Sequence, residues 1–257
     1  MYDLTTRRQA LALYQSGMSL NQVSHATGIS RAAIRAWTVR IEPLPGITSE
    51  CPAPEGMLAP EVPRADYSYL LGLYLGDGCI SHVSKGVYSL RIACADAWPG
   101  LIDACADALA QVLPNSKVGR TQCKGCTSVS SYSKHWPCLF PQHGPGKKHD
   151  RPILLADWQQ EVIDSHGWSL IRGLVHSDGS TTHNWAQRTL DGEHRRHDYI
   201  RYEFTNKSAD IRDIYTSTLD QLGVTWRAGR RRDDVHTVSV ARRASVALMD
   251  EHIGAKY

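Results

Sequence analysis

Two aspartates in this chain end matching apolar runs. Residues 70–78 read LLGLYLGDG and residues 171–179 read IRGLVHSDG, so Asp77 and Asp178 hold the same place in a repeated pattern, each followed by Gly. Carboxylates that meet in space can share a hard cation through oxygen ligands. The residues before them say how they could meet. Apolar residues lead up to each Asp, so each run reads as a buried helix. Gly72 and Gly76 are four apart, as are Gly173 and Ser177. That spacing puts them on one helix face, where small residues let two backbones approach closely. Packed together, the helices would set Asp77 and Asp178 side by side at adjacent C-termini, where the charges and the negative dipole ends repel. A cation is therefore expected to neutralise the pair, with Mg²⁺ or a similar hard ion favoured. Gly78 and Gly179 are expected in the left-handed conformation just past the helix ends.

The paired motifs resemble the two LAGLIDADG motifs of single-chain homing endonucleases, over about residues 66–253. The letters from Leu70 to Gly76 depart from the eponymous ones. The resemblance implies an α+β fold: a pseudo-twofold, duplicated αββαββα domain, with Gly72, Gly76, Gly173 and Ser177 at the interface of the motif helices. It implies that Asp77 and Asp178, helped by the backbone carbonyls of Gly76 and Ser177, bind the metal ions that cleave double-stranded DNA. The chain would act as a monomer. The family also places a basic residue from each half near the scissile phosphates. Aligning the tails VSSYSKHWPCLF (129–140) and VSVARRASVALM (238–249) pairs Lys134 with Arg243. A solvated surface cation is an equally ordinary role for either.

The elements around the motifs repeat in order. Strands are expected at Cys79–Ser84 and Tyr88–Ala95, joined by a turn at Ser84-Lys85-Gly86. A helix follows at Gly100–Leu113, two strands within Lys117–Ser133, and a helix at Ile153–Ile163. The second half gives strands at Ser180–Thr189 and Tyr199–Thr205 and a helix at Ala209–Leu222. Strands at Val224–Arg230 and Thr237–Ala241 and a helix at Ala244–Ile253 complete it. Extra residues in this half are assigned to a loop, TLDGEHRRHD. The halves divide near residues 66–166 and 167–257. Sheet strands forming a saddle in the major groove would offer Arg91, Arg188, Arg201, Arg230 and Arg232 to DNA. The run RRR at 230–232 also reads as an ordinary charged turn, offset by Asp233-Asp234.

Residues 1–40 read as a separate all-α module. Ala10, Leu13 and Tyr14 line one face of a first helix. Ser19 and Gln22 form a capping box for a second. Gly28 supplies a turn with positive φ, and Ser30 caps a third helix burying Ile34 and Trp37. This resembles the helix-turn-helix modules of transposases and bacterial regulators, which would turn Ser30, Arg31 and Arg35 toward DNA. A packing unit without DNA contact is the alternative. Residues 41–65 hold six of the twelve Pro and read as a stiff linker.

A net charge of +3 permits a nucleic-acid partner without demonstrating one. No run approaches the ~18 apolar residues a membrane span needs, and no signal peptide opens the chain. A cytoplasmic, nucleoid-associated protein with reduced thiols is expected from its seven Cys. Cys123 and Cys126 (CKGC), with His135 and Cys138, have metal-like letters without the paired spacing of zinc sites, so packing or turn thiols are expected and zinc is not. GPGKKH (144–149) does not open onto a helix and reads as a basic loop. The primary expectation is a Mg²⁺-dependent, site-specific DNA endonuclease. The alternative is a transcriptional regulator that uses the same fold to bind DNA without cutting.

Overall fold

Each motif run is helical to its Asp and then passes straight into a strand. The first motif helix is apolar all round and buried from Tyr67 to Leu75, as an interior helix must be. The computed structural model describes residues 2–42, 51–190, 193–230, 236–254 and 256–257. The chain divides into two compact units at residues 49 and 50.

In the first unit, α1 (Leu4–Gln15), α2 (Leu20–Thr27) and α3 (Arg31–Val39) enclose a small core of Ala10, Leu11, Val23, Ile29, Ile34 and Trp37. Leu11 takes the buried place expected of Tyr14, which is exposed. Ser19 and Gln22 form the reciprocal capping box, Ser30 caps α3, and Gly28 has φ +69°. Arg7 is buried: its guanidinium donates to the carbonyls of Tyr2 and Ile41 and lies over the Trp37 ring.

The second unit repeats one layout. Its first half runs α4 (Arg64–Asp77), β1 (Gly78–Ser84), β2 (Val87–Ala95), α5 (Pro99–Val112), β3 (Val118–Cys123), β4 (Cys126–Ser133) and α6 (Trp136–Leu139). The second runs α7 (Asp157–Asp178), β5 (Gly179–Leu190), β6 (Glu193–Asn206), α8 (Ala209–Gln221), β7 (Arg227–Arg230), β8 (His236–Val240) and α9 (Arg243–His252). Two antiparallel four-stranded sheets result, in the orders β1-β2-β4-β3 and β5-β6-β8-β7. The inner faces carry Ile80, Leu90, Ile92 and Val129 in one sheet and Tyr202, Phe204, Val238 and Val240 in the other, all in one core.

Several expectations change. The predicted linker ends early: Ala53, Leu58 and Val62 are buried in the core of the second unit, and the Ala59 amide donates to the Pro52 carbonyl. Its apolar residues, which the Pro content obscured, dock the chain from residue 51 onward. The helix expected at Ile153–Ile163 starts at Asp157 and is separated from the second motif helix only by a kink at His166 (φ −133°, ψ 37°), whose carbonyl accepts a hydrogen bond from Ser68. Of the supposed loop, residues 189–190 and 193–198 lie in the hairpin strands instead, so β5 and β6 run to twelve and fourteen residues against seven and nine for β1 and β2.

Gly78 and Gly179 are not left-handed. Their φ values of −78° and −93° are extended, and Gly is required for space. A Cβ on Gly78 would lie 2.5 Å from the Tyr74 Cα, and one on Gly179 would lie 2.6 Å from the Val175 Cα. The chain folds from helix to strand too sharply for a side chain.

The two motif helices pack backbone to backbone. A Cβ on Gly72 would lie 2.5 Å from the Leu170 carbonyl oxygen and 2.8 Å from the Leu174 nitrogen. A Cβ on Gly173 would overlap the Tyr69 carbonyl oxygen and come within 2.9 Å of the Gly72 Cα. Backbone atoms on both sides cannot yield, so Gly72→Ala or Gly173→Ala should cost about 2–3 kcal/mol in urea unfolding. Gly119→Ala, where the nearest atom is the Ser130 hydroxyl at 3.6 Å, should stay within about 0.5 kcal/mol.

Candidate active site

Close packing of α4 on α7 brings both aspartates to one place. At Gly76 the space for a Cβ is filled by the Ser177 side chain, and the Asp178 Oδ2 lies 3.2 Å from that same point. Asp178 therefore rests over the residue that precedes Asp77. Ser177 turns its hydroxyl back onto its own helix, donating to the Gly173 and Leu174 carbonyls at 3.0 Å each. Asn206, at the end of β6, donates to Asp178 Oδ2 at 2.7 Å and fixes that carboxylate.

Two lysines close over the helix ends. The Lys148 ammonium donates to the carbonyls of Gly76 (2.6 Å) and Gly78 (3.0 Å), and to that of Tyr74. Lys256 donates to the Gly179 carbonyl at 2.6 Å. Each thus reaches the carbonyl of the Gly that follows a motif Asp, satisfying acceptors at a helix end and opposing the dipole. In the loop GPGKKH, read from sequence as a basic loop, Lys148 folds inward while Lys147 stays exposed.

The charges compensate only in part. Burial holds the Asp77 carboxyl above the usual range, against the pull of Lys148 and Lys256. Burial also raises Asp178, and the Asp77 charge adds to it, against the Asn206 hydrogen bond and the same two lysines. Burial lowers Lys148 to about 8, though both aspartates favour its charged form. Two ammonium groups already face the pair that the expected cation would neutralise. Yet both carboxyls remain raised, so further positive charge would be accommodated. The donor set, two carboxylates and main-chain carbonyls, fits a hard divalent cation. The Gly76 carbonyl already holds Lys148, so that ligand would need the lysine to shift.

The site lies where the motif helices pass into the two sheets. A cavity beside Asp178 is lined by Cys79 from β1, by Thr205 and Asn206 from the end of β6, and by Lys147, Lys148 and His149. Behind the aspartates, His176 is buried against Tyr69, whose hydroxyl is 3.0 Å from its Nδ1. Burial, then Arg172 and Lys256, lowers His176 to about 4, so the ring is neutral near pH 7.

The other expected site residues lie elsewhere. Lys134 is exposed past the end of β4. Arg243 opens α9 and lines a different cleft with Tyr199, Trp226 and Arg227. Among the described residues, the lysines whose charge bears on the aspartates are Lys148 and Lys256, both outside the repeated strands. Arg91 is exposed on β2 and hydrogen-bonded to Ser81 at 3.3 Å. Arg201 is held by Glu203 and Tyr199. Arg188 and Arg230 are described only as strand positions, and Arg232 lies outside the described residues. Ser30, Arg31 and Arg35 are exposed in the first unit.

No protein-family signature matches the sequence, and no curated protein does. Among solved structures, mesophilic variants of the homing endonuclease I-DmoI are similar over 75% of this chain and 97% of theirs, at 18% identity and a TM-score of 0.50. A variant of I-DmoI in complex with its target DNA, nicked in the coding strand, in the presence of manganese gives the same figures. The N-terminal LAGLIDADG domain of DUF199/WhiA is similar over 77% of this chain and 86% of that one, at 13% identity and a TM-score of 0.47. The second unit has the LAGLIDADG fold. No helix among the described residues is long and apolar enough to cross a membrane.

Lys148→Met would strip the Gly76 and Gly78 carbonyls of their partner and remove one cation from the aspartate pair. A loss of about 1–3 kcal/mol is expected in urea unfolding at neutral pH. Lys147→Met, at an exposed position of the same loop, should change stability by less than about 0.5 kcal/mol.

Proposed function

We propose that this chain is a site-specific, divalent-metal-dependent endonuclease acting on double-stranded DNA as a monomer. The observation that carries this reading is the meeting of Asp77 and Asp178 at two packed helix ends, with both carboxyls still raised beside two lysines. A pair held at such cost is poorly explained by folding alone. The similar endonuclease I-DmoI is described in complex with target DNA and manganese, and the proposal carries that class of chemistry to this chain. Asp77 and Asp178, with the carbonyls of Ser177 and Gly76, would hold Mg²⁺ or a similar ion. When bound, such an ion supplies a hydroxide-like nucleophile near neutral pH and a sink for phosphate charge.

The chain's own groups set up the rest. Asn206 keeps Asp178 in one orientation. Lys148 and Lys256 set positive charge beside the aspartates, where a scissile phosphate would lie, replacing Lys134 and Arg243 in that role. The outer faces of the sheets carry Ser81, Arg91, Ser130 and Tyr132 on one side and Thr182, Arg201, Arg227 and Ser239 on the other. Such faces suit a major groove, with Arg91 and Arg201 as contacts and Arg188, Arg230 and Arg232 as further candidates. In the first unit, exposed Ser30, Arg31 and Arg35 on a capped third helix suit a helix-turn-helix reading.

Asp77→Asn and Asp178→Asn should each abolish cutting of a plasmid library in Mg²⁺ or Mn²⁺ while DNA affinity stays within a few-fold. Wild-type cutting by either variant would remove the metal assignment. Binding without cutting by the native chain would support the regulator instead.

Deleting residues 1–49 should weaken binding and shorten the footprint at one end without moving the cut. The Arg31→Ala, Arg35→Ala double variant should flatten the salt dependence of binding by about 2 in log–log slope. Undiminished affinity of the truncation would make the first unit a packing or partner-binding module.

A further inference from the structure

The fold brings together three soft ligands that the sequence keeps far apart. The thiols of Cys51 and Cys138 and a ring nitrogen of His135 lie within 4.8 Å of one another. His135 and Cys138 are three residues apart at the start of α6, where the Cys138 and Leu139 amides both donate to the His135 carbonyl at 3.0 Å. That tight turn puts both side chains on one side. Its position is fixed by the buried Trp136, which donates to the Ser131 carbonyl at 3.0 Å, and by the buried Phe140. Cys51 arrives from the other side, on the segment whose Ala53, Leu58 and Val62 are sunk in the core. Both ligand-bearing segments are therefore anchored independently of any ion.

The pair that sequence spacing singled out is excluded by the same fold. Cys123 and Cys126 face each other at the tip of the β3–β4 hairpin. His135 lies past the opposite end of β4, an eight-residue strand, so roughly 25 Å away.

We propose that Cys51, His135 and Cys138 form a zinc site. Two thiolates and one imidazole suit Zn²⁺ better than Mg²⁺ or Ca²⁺, which take oxygen ligands. Ligands at about 2.0–2.3 Å from a tetrahedral ion sit roughly 3.5–3.8 Å apart, a small contraction of the present cluster. Cys51 and Cys138 give up their thiol protons on binding and no electron moves. Cys138 is exposed, so a fourth, solvent ligand has access. The ion would clamp the entry of the chain into the second unit onto α6, whose Leu139 carbonyl receives the hydroxyl of Tyr67 in α4.

The test uses the full chain, purified under reducing conditions without chelator. Metal analysis should find about one Zn²⁺ per chain, and Co²⁺ substitution should give the thiolate-to-cobalt charge-transfer band. That band distinguishes this site from oxygen ligation at Asp77 and Asp178, and it should persist in the Asp77→Asn, Asp178→Asn double variant. Cys51→Ser and Cys138→Ser should each lower zinc affinity about 100-fold or more, while the Cys123→Ser, Cys126→Ser double variant binds as the native chain does. Zinc should raise the thermal midpoint of the native chain reversibly on chelation, and should not raise that of Cys138→Ser. No charge-transfer band, a band lost only with Cys123 and Cys126, or a Cys51–Cys138 disulfide that persists under the reducing conditions would each overturn the site. So would a thermal midpoint indifferent to zinc.

Discussion

The contact between α4 and α7 governs the second unit. Gly72 and Gly173 face backbone atoms with no space for a methyl group, so the two helix axes come closer than ordinary side-chain packing allows. The contact joins the halves and sets where each helix ends. Because both helices end at an Asp and turn at once into a strand, it also decides that two sheets start from one point. A looser interface would separate the carboxylates and the sheets together. The required residues are small for three distinct reasons: axis approach at Gly72 and Gly173, Ser177 and Asp178 at Gly76, and the sharp helix-to-strand passage at Gly78 and Gly179.

That closeness concentrates negative charge, and the chain answers from outside the repeat. Lys148 comes from the connection between halves and Lys256 from beyond α9, yet they reach matching carbonyls. The symmetry of the response is in position, not in sequence. It is also incomplete. Register places Ile92 opposite Gly78 and Phe204 opposite Gly179, so Cys94 holds in the first half the place of Asn206 in the second. Asp178 therefore has an amide donor where Asp77 has a thiol beside it, and that thiol is engaged with Cys105. The two carboxylates are equivalent in backbone and unequal in chemistry.

Much of this was legible in the residues. The doubled motif identified the interface glycines and the two aspartates, and alternation located both sheets, because period and repetition are local signals. The remainder was not. Lys148, Lys256, Asn206 and Cys51 sit in loops, at a strand end or near a terminus, where no periodicity assigns a direction to a side chain. The Pro-rich count of residues 41–65 hid three apolar anchors, since composition averages over the positions that matter. Reading Gly78 and Gly179 as left-handed caps applied a sound rule to the wrong exit. A helix that stops before a loop needs that conformation, whereas one that becomes a strand needs only the missing Cβ.

The lengthened second hairpin has a mechanical consequence. Strands of twelve and fourteen residues against seven and nine give one arm about 17 Å more reach at roughly 3.4 Å per residue. A duplex rises by 3.4 Å per base along one strand, so under the proposed function an arm lying along a groove would follow it for about five more base pairs on that side. Fusion of two halves in one chain allows this inequality, because neither arm must mirror the other. Under the proposed function, the two halves of a target would be followed over unequal lengths.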